Sequence, residues 1–361
     1  MTDAKGRPGA FPPHIHDWRT TAKAAWICSA TLLPVMAWSL AAYGRRAALV
    51  WLVSLLGAVL SEAVVSLVFG RWTLPDGSAV LTGLLLASAM PPGVPLHVPA
   101  VASVFAIVVV KSVFGGLGAN WMNPALGGLC FAYANWPSSM REFLLPRGLS
   151  AVEGVSAATP MSLARGLTAG GGGMLERLHA AGFPMSPADS AITGFLNDVL
   201  FQPLNARLPV GYIDLLLGLK PGTLGESALP AILLGSIILV ALRLIKLEIP
   251  LAMTVSFAAL TRVFGNGVPG EAFFSGDMLY ALTTGGFLVV AFYMATDPVT
   301  SPVDGRLALA YGAAIGTLSY LFRRWGAHTE GIAYAVLIMN ALTPTLERLP
   351  LPARRPARGT P

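Results

Sequence analysis

Charged residues are scarce in this chain of 361 residues. Asp, Glu, Lys and Arg make up 12% of it, against about a quarter in soluble domains, whereas apolar residues make up 54%. The shortage excludes an ordinary soluble domain and predicts a protein that has lipid as its solvent. The net charge of +6 is better explained by loops and tails that orient membrane helices than by a nucleic-acid-binding surface.

Cysteine and histidine are too few and too scattered to indicate thiol or metal chemistry. Cys28 and Cys130 fall in separate apolar stretches and have no CxxC partner. His14, His97, His179 and His328 are scattered, and no pair of them has metal-ligand spacing. We therefore assign neither metal ligands nor catalytic residues. We also expect no cleavable signal peptide, because the first residues are polar and lead directly into a full-length apolar stretch.

Apolar stretches long enough to cross a membrane dominate the rest of the chain. A helix needs about 20 apolar residues to cross the bilayer, and candidates lie on both sides of one polar insert. We predict an all-α polytopic membrane protein with about ten transmembrane helices in two five-helix halves. The candidates are 21–43, 47–69, 78–90, 98–114 and 121–136, then 229–247, 249–264, 278–295, 307–322 and 331–346.

The pattern divides the chain into two tails, two membrane halves and the insert. Both tails are rich in Lys and Arg, and the positive-inside rule therefore makes them cytoplasmic and the insert extracytoplasmic. Arg45-Arg46 and Arg323-Arg324 would then lie outside, against the rule. The boundaries are 1–20 for the N-terminal tail, 21–136, 137–228 for the insert, 229–348, and 349–361 for the C-terminal tail.

A short similarity links the two halves. Thr82-Gly83 followed by Met90-Pro91-Pro92 in the first half resembles Thr284-Gly285 followed by Asp297-Pro298 in the second. A five-helix unit repeated once must insert in opposite orientations, and interrupted helices then meet near the bilayer midplane. An inverted repeat is therefore one hypothesis for the architecture.

The insert contains a stretch of small and hydroxyl residues at 153–161, without Cys or His. This composition argues against a metal site or an acyl-transfer nucleophile. It suits a backbone that presents the Thr159 hydroxyl for modification. With a group on Thr159 the protein would be a membrane-bound redox carrier; without one it would be a transporter or a channel.

Three carboxylates are candidates for an ion path. Glu62 lies in mid-stretch, where an acid is a functional hypothesis by default, with a structural hydrogen bond as the alternative. Asp297 ends the eighth stretch, where an Asx turn before Pro298 is the alternative. Asp76 opens the third stretch and could be only a helix cap. Glu226 and Asp214 are predicted to lie at the membrane interface.

A dense motif runs through 111–125 and contains three glycines. One interpretation is a tight hairpin with Lys111 snorkelling to the surface; the other is a helix N-terminus that faces a cofactor or an ion. Asn120 is predicted to cap the next helix, with Pro124 in its first turn. A soluble phosphate-binding loop is excluded, because no strand precedes the motif and the Gly-Lys-Ser/Thr order is absent.

Four segments, in this order, resemble the RnfD/NqrB family, whose members are RnfD of the Rnf electron-transport complex and NqrB of the sodium-translocating NADH:quinone reductase. Pro13-His14-Ile15, the modest length and the Thr159-Pro160 pair resemble the RnfD branch. An NqrB-like protein and a flavin-free inverted-repeat transporter remain alternatives. The segments are 111–125, Ser156 to Pro160, 294–299, and Glu330-Gly331 with 339–342.

The resemblance implies that Thr159 carries FMN through a phosphoester made by a separate flavin transferase. Ser156 and Ala158 belong to the attachment motif, and Ala157 stands where the family motif has glycine. Arg147 and Arg165 are candidate counter-charges for the phosphate. Riboflavin is a candidate second, non-covalent cofactor.

The resemblance also implies a multi-pass component of a complex in the bacterial inner membrane, one that is not a complete enzyme alone. Its expected partners are the other Rnf proteins, of the A, B, C, E and G types, and membrane lipid. The complex would couple electron transfer between NADH and ferredoxin to the movement of Na+ or H+.

Overall fold

The computed structural model describes residues 20–147, 149, 156–167, 173–268, 270–326 and 331–348. Within these ranges the chain is helical and forms no β-strand, and an isolated bridge joins Leu144 to Ser156. Both predicted tails, including Pro13-His14-Ile15, lie outside the described residues, apart from Thr20. Residues 153–155 and Glu330 also lie outside them.

The first half forms five α-helices that match the predicted stretches within a few residues. Two of them, α1 and α2, are long and apolar enough to cross a membrane unbroken. The fourth continues as a π-helix through Ala106–Ser112. The helices are α1 Thr21–Tyr43, α2 Arg45–Phe69, α3 Ser78–Ser88, α4 His97–Phe105 and α5 Pro124–Asn135.

The described part of the insert forms short helices that pack on one end of the helix bundle. Leu178 and Leu215 share a small apolar core with Val268 and Tyr280 of the second half. The last of these helices is only six residues long. The helices are α6 Pro160–Gly166, α7 Met174–Ala180, α8 Pro187–Leu196 with a π-turn at Asn197–Phe201, and α9 Tyr212–Leu217.

The described residues of the second half form six α-helices, because its third predicted stretch is broken in two. The predicted stretch 278–295 is interrupted by Thr284-Gly285-Gly286, where both glycines have positive φ. A π-helix, Val290–Met294, completes the second piece. The helices are α10 Leu229–Ala241, α11 Glu248–Phe264, α12 Met278–Thr283, α13 Phe287–Val289, α14 Gly305–Trp325 and α15 Ile332–Glu347.

Helices in equivalent positions of the two halves pack together. The first helices, α1 and α10, are in contact, as are the last, α5 and α15. Within the halves, α2 packs on α4 and α11 packs on α14. The α11–α14 contact is very close: a Cβ atom added to Gly316 would lie only 2.3 Å from the Met253 carbonyl oxygen. Small residues at such crossings let backbones approach in membrane bundles.

Loop contacts sort the helix ends into two groups, as an alternating up-and-down path requires. On the insert end, the Trp38 indole donates to the Leu217 carbonyl at 3.0 Å, and the Arg147 N–H donates to Ala42 at 2.8 Å. On the opposite end, Lys246 donates to the Val303 carbonyl at 2.7 Å. The insert therefore lies on one end of the bundle.

Two arginines at the insert end, Arg323 and Arg324, bind helix ends. Arg323 donates to the Ala281 carbonyl and, at 2.6 Å, to that of Thr284. Its guanidinium lies 4.7 Å from the centre of the Phe257 ring. Arg324 donates to the Phe264 carbonyl at 3.0 Å. Hydrogen bonds to nearby carbonyl groups thus explain why Arg323 and Arg324 lie at this end of the bundle.

Candidate functional site

Thr159 lies at the start of α6, where its side chain caps the helix. Its Oγ1 accepts the Ser162 N–H at 3.1 Å and lies 3.2 Å from Ser162 Oγ. The Ala157 N–H donates to the Phe143 carbonyl at 3.0 Å, which holds the preceding backbone in place. Thr159 is only 6% exposed, and these hydrogen bonds fix the position of its hydroxyl.

A cavity of about 230 Å³ opens beside Thr159. It is smaller than the roughly 300–1,000 Å³ of sites that enclose a whole drug-sized ligand. Burial and then the charge of Arg141 lower the pKa of Arg165, although an arginine remains a cation at neutral pH. An anionic group on Thr159 would meet both cations, so the residues fit a phosphate. The walls are Arg141, Phe143, Ala157, Ala158, Thr159, Ser162 and Arg165.

Two details around this cavity answer questions raised by the sequence. Ala157 is not among the non-glycine residues with positive φ, so alanine replaces the family's glycine without left-handed backbone strain. Arg147 does not line the cavity and instead packs against Gly44. Arg141, which the sequence interpretation did not single out, takes the expected place of Arg147.

Helix α6 links this cavity to the broken helix of the second half. Arg165 donates to the Arg323 carbonyl at 2.8 Å, and Arg323 in turn donates to Thr284. Met161 packs on the break, because a Cβ on Gly285 would lie 2.7 Å from the Met161 sulfur. The attachment candidate and the α12–α13 break are therefore mechanically connected.

A buried ion pair that the sequence interpretation missed spans the same break. Lys220 Nζ lies 2.7 Å from Glu226 Oε1, and the two side chains are 0% and 4% exposed. Glu226 accepts the Gly285 N–H at 2.7 Å, and Lys220 donates to the Thr283 carbonyl. The pair thus satisfies backbone groups that the break leaves without helical partners.

Glu226 and Asp214, predicted to lie at the membrane interface, are both covered by the rest of the protein. The two residues are 3% and 1% exposed, and Asp214 accepts the Ser186 N–H at 2.7 Å. The cause is local packing: both acids are covered because each satisfies backbone N–H groups. The cluster of small residues in 218–227 was the available signal, since close packing of this kind requires them.

The same segment closes the short third helix of the first half. The Gly225 N–H donates to the Ser88 carbonyl at 2.6 Å, and the Leu224 N–H donates to Met90 at 3.0 Å. The end of α3 and the break between α12 and α13 therefore both bind residues 220–226, which we call the bridging segment.

A second cavity of about 400 Å³ lies between the two halves at the end opposite the insert. Apolar side chains form most of its wall. Its polar groups come from both halves and include Ser78, Lys111, Asn123, Arg243 and Asp297. Parts of two of the matched segments, 111–125 and 294–299, thus face one space.

Glu62 and Asp76, predicted separately as ion-path residues, belong to one hydrogen-bonded network beside this cavity. Lys111 Nζ lies 2.5 Å from Glu62 Oε2 and 2.5 Å from Ser78 Oγ. The Ser78 N–H donates to Asp76 at 2.8 Å. Lys111 does not snorkel to the surface, since it and Glu62 are each 3% exposed. Asp76 thus binds the first residue of α3 but is not its N-cap, which is Gly77.

Asp297 forms the Asx turn that was the alternative to an ion-path role. Its carboxylate accepts the Val299 N–H at 3.2 Å and the Thr300 hydroxyl at 3.3 Å, which is an Asx turn. The residue also lines the large cavity. The three predicted acids therefore lie around one end of the bundle, far along the fold from Thr159.

Asn123, and not Asn120, caps α5, with Pro124 as predicted in its first turn. Asn123 accepts the Ala125 N–H at 2.9 Å and donates to the Met294 carbonyl at 3.2 Å. In the amide orientation that its partners require, Asn340 accepts the Asn123 N–H at 3.1 Å. Three of the four matched segments meet at this point.

Comparison with known proteins agrees with this arrangement. A family model described as NQR2, RnfD, RnfE matches residues 10–354. The chain belongs to this family. The match covers both halves and the insert, so the family includes the whole unit and not one half of it.

Three relatives of similar length extend the comparison, and each is the D-type component of its complex. That of the ion-translocating oxidoreductase complex of Stutzerimonas stutzeri is 37% identical over 93% of this chain and 92% of its own. That of the proton-translocating ferredoxin:NAD(+) oxidoreductase complex of Clostridium ljungdahlii is 31% identical, over 95% and 94%. The Na(+)-translocating counterpart of Acetobacterium woodii is 31% identical, over 93% and 91%.

The Glu62–Lys111 pair provides a stability prediction for this family member. Lys111→Met would leave the Glu62 carboxylate buried without its cation, a change that costs about 3–5 kcal/mol. We expect a lower apparent Tm in detergent, and partial recovery when Glu62→Gln is added. Thermal unfolding followed by intrinsic fluorescence measures both.

Arg71→Ala is the matched control, because Arg71 is exposed at the same end of the bundle. It should unfold near the wild-type temperature. A Lys111→Met protein as stable as the wild type, or a double variant less stable than either single one, would show that the pair has no such role.

Proposed function

We propose that this chain is the RnfD component of an Rnf-type complex of the bacterial inner membrane, which couples electron transfer between ferredoxin and NADH to ion movement. The names of its relatives support this, since the three reported above are all D-type components of such complexes. The arrangement of two sites at opposite ends of one bundle carries the proposal. A threonine cavity on one end suits a redox carrier, and a cavity on the other end with Asp297 in its wall suits an ion entrance.

We further propose ten membrane crossings arranged as an inverted repeat, with the insert outside. Three observations support it: equivalent helices pair across the halves, the third element of each half is short or broken, and loop contacts alternate between the ends. Interrupted helices that meet inside a bundle are typical of inverted-repeat membrane proteins.

At the outer cavity, Thr159 is the proposed acceptor of FMN, which would supply electron transfer when bound. In a reaction catalysed by a separate transferase, the threonine oxygen would attack the flavin-side phosphorus of FAD. The pyrophosphate bond would break, AMP would leave, and the hydroxyl proton would be lost as the phosphoester forms. Arg141 and Arg165 would hold the phosphate. The cavity is too small for the whole cofactor, so the ring system would extend beyond its walls toward a partner protein of the complex.

The attachment site gives the decisive test. Thr159→Ala removes the acceptor hydroxyl, and we expect a protein band that is not fluorescent after denaturing electrophoresis, from cells containing the transferase. The wild-type band should fluoresce, and the peptide containing Thr159 should carry the mass of FMN less one water.

Ser162→Ala is the control, because that hydroxyl lies 3.2 Å from Thr159 Oγ1 but is exposed on α6. It should keep its flavin. A dark wild-type band with an unmodified peptide would reject flavin attachment and favour the flavin-free transporter or channel, which should then move solute alone in liposomes.

If Arg141 and Arg165 hold the flavin phosphate, replacing one of them should slow flavin attachment to Thr159. Arg141→Gln removes one of two cations that face Thr159, and a hydrogen bond to a charged group contributes about 1.5–3 kcal/mol. We expect initial attachment to slow by roughly tenfold or more, the change that about 1.4 kcal/mol produces. Flavin per protein, measured over time with limiting transferase, gives the rate.

The comparison variant is Arg207→Gln, which changes an exposed arginine of the same insert outside that cavity. Its attachment rate should match that of the wild type. Equal rates for Arg141→Gln and Arg207→Gln would contradict a phosphate-holding role for Arg141.

At the opposite end, Glu62, Asp76 and Asp297 are the proposed ion-path acids. Asp297 faces the cavity directly, whereas Glu62 and Asp76 act through Lys111 and Ser78. The cavity has the size of a small-molecule site, and riboflavin in it stays a prediction. These carboxylates can bind either Na+ or H+.

Neutralising Asp297 tests the ion path. Asp297→Asn keeps the side-chain volume and can keep the Asx turn, but removes the charge. In the assembled complex we expect the half-saturating concentration of the transported ion to rise by about tenfold, as a loss of about 1.4 kcal/mol in binding would give. Ion uptake by inverted vesicles, measured beside NADH turnover, provides the value.

Asp304→Asn is the control, since Asp304 is an exposed acid that caps α14 at the same end, and asparagine also caps well. Its ion dependence should be unchanged. If Asp297→Asn leaves ion dependence intact, the cavity acid is structural only.

A further inference from the structure

Helix α8 of the insert turns polar side chains toward the protein. Asp189 and Thr193 are both fully buried, and the Thr193 hydroxyl donates to Asp189 at 3.0 Å. Asp189 also accepts the N–H groups of Gly211 at 2.7 Å and Asp214 at 2.8 Å. A surface helix of a soluble domain has the opposite arrangement, with apolar side chains facing the protein.

Apolar side chains of α8 and its π-turn point outward. Ile192, Phe195 and Val199, which we call the apolar stripe, are 40%, 63% and 60% exposed. Spacings of three and four residues place them on one face of the helix. Ser190 and Asp198, also exposed, lie on a different face. None of the described residues covers the stripe.

The position of α8 indicates what covers the stripe. It packs on α9, which contacts α10 and α12 at the insert end of the bundle. The Trp38 indole, bonded to Leu217 at the end of α9, is of the type that concentrates where membrane meets water. Leu216 on α9 and Ile237 on α10 are 40% and 65% exposed, so apolar surface extends from the bundle toward α8.

We propose that α8 is an interfacial helix whose apolar stripe lies in the outer headgroup region of the membrane. The polar anchor of Asp189 and Thr193 fixes its rotation, and Ser190 and Asp198 face water. Helices of this kind bury the apolar face about 5–10 Å into the interface. The helix would hold the insert at a constant height above the lipid. The proposal depends on the membrane position of the bundle and not on the flavin at Thr159.

Depth-dependent fluorescence quenching tests this in the assembled complex, reconstituted in phosphatidylcholine nanodiscs. In a Cys28→Ala/Cys130→Ala background, an NBD probe is attached to Phe195→Cys or Val199→Cys. Ser190→Cys and Asp198→Cys are the matched controls on the other face, and Ile237→Cys is the reference for lipid contact. Lipid spin-labelled near the headgroup and aqueous iodide are the two quenchers.

We expect the spin-labelled lipid to quench probes at 195, 199 and 237, and iodide to quench those at 190 and 198. Quenching of 195 and 199 by iodide would place the stripe in water. Quenching by neither agent would place it against a partner protein or a second copy. Either result overturns the proposal, and lipid quenching at 237 in the same samples would show that the bundle itself is still in the membrane.

Discussion

Broken helices inside a bundle must find partners for the backbone groups that the break exposes. Lipid offers none, and each unsatisfied group costs several kcal/mol. Here the bridging segment, residues 220–226, meets this requirement for both halves. The Leu224 and Gly225 N–H groups donate to carbonyls at the end of α3, and Lys220 and Glu226 bind backbone groups at the α12–α13 break. The connection that follows the insert is therefore part of the bundle core, and the insert and the two halves depend on one another for their positions.

Cations at equivalent places in the two halves perform related tasks. Lys111 ends the fourth helical unit of the first half and binds Ser78, where the third helix begins. Arg323 ends the fourth helix of the second half and binds carbonyls around the broken third element. One faces the large cavity, and the other contacts Arg165 near Thr159. Charge inside this bundle thus stabilises helix ends close to both candidate sites.

Periodic and compositional signals predicted most helix positions, because length and apolarity are local properties. The bounds of α1 were predicted to the residue, and Thr159 was identified from its motif. Pairing over long sequence distances could not be predicted this way: Glu62 with Lys111, Lys220 with Glu226, and Arg141 beside Thr159 all depend on how distant segments pack. The break after Thr283 was also missed, since Gly285-Gly286 lies inside a continuous apolar run whose composition does not reveal an interruption.

The separation of 49 residues between Glu62 and Lys111 bears on how the protein is made. Lys111 belongs to the helical unit that begins with α4, so α2 is synthesised before the residue that neutralises its carboxylate. An unpaired acid within a membrane helix is unfavourable, and the long apolar run of α2 must offset that cost until the pair with Lys111 forms. The first two helices therefore have to be apolar enough to be stable in lipid before α4 packs against them. Among the described helices, they are the two that are long and apolar enough to cross a membrane unaided.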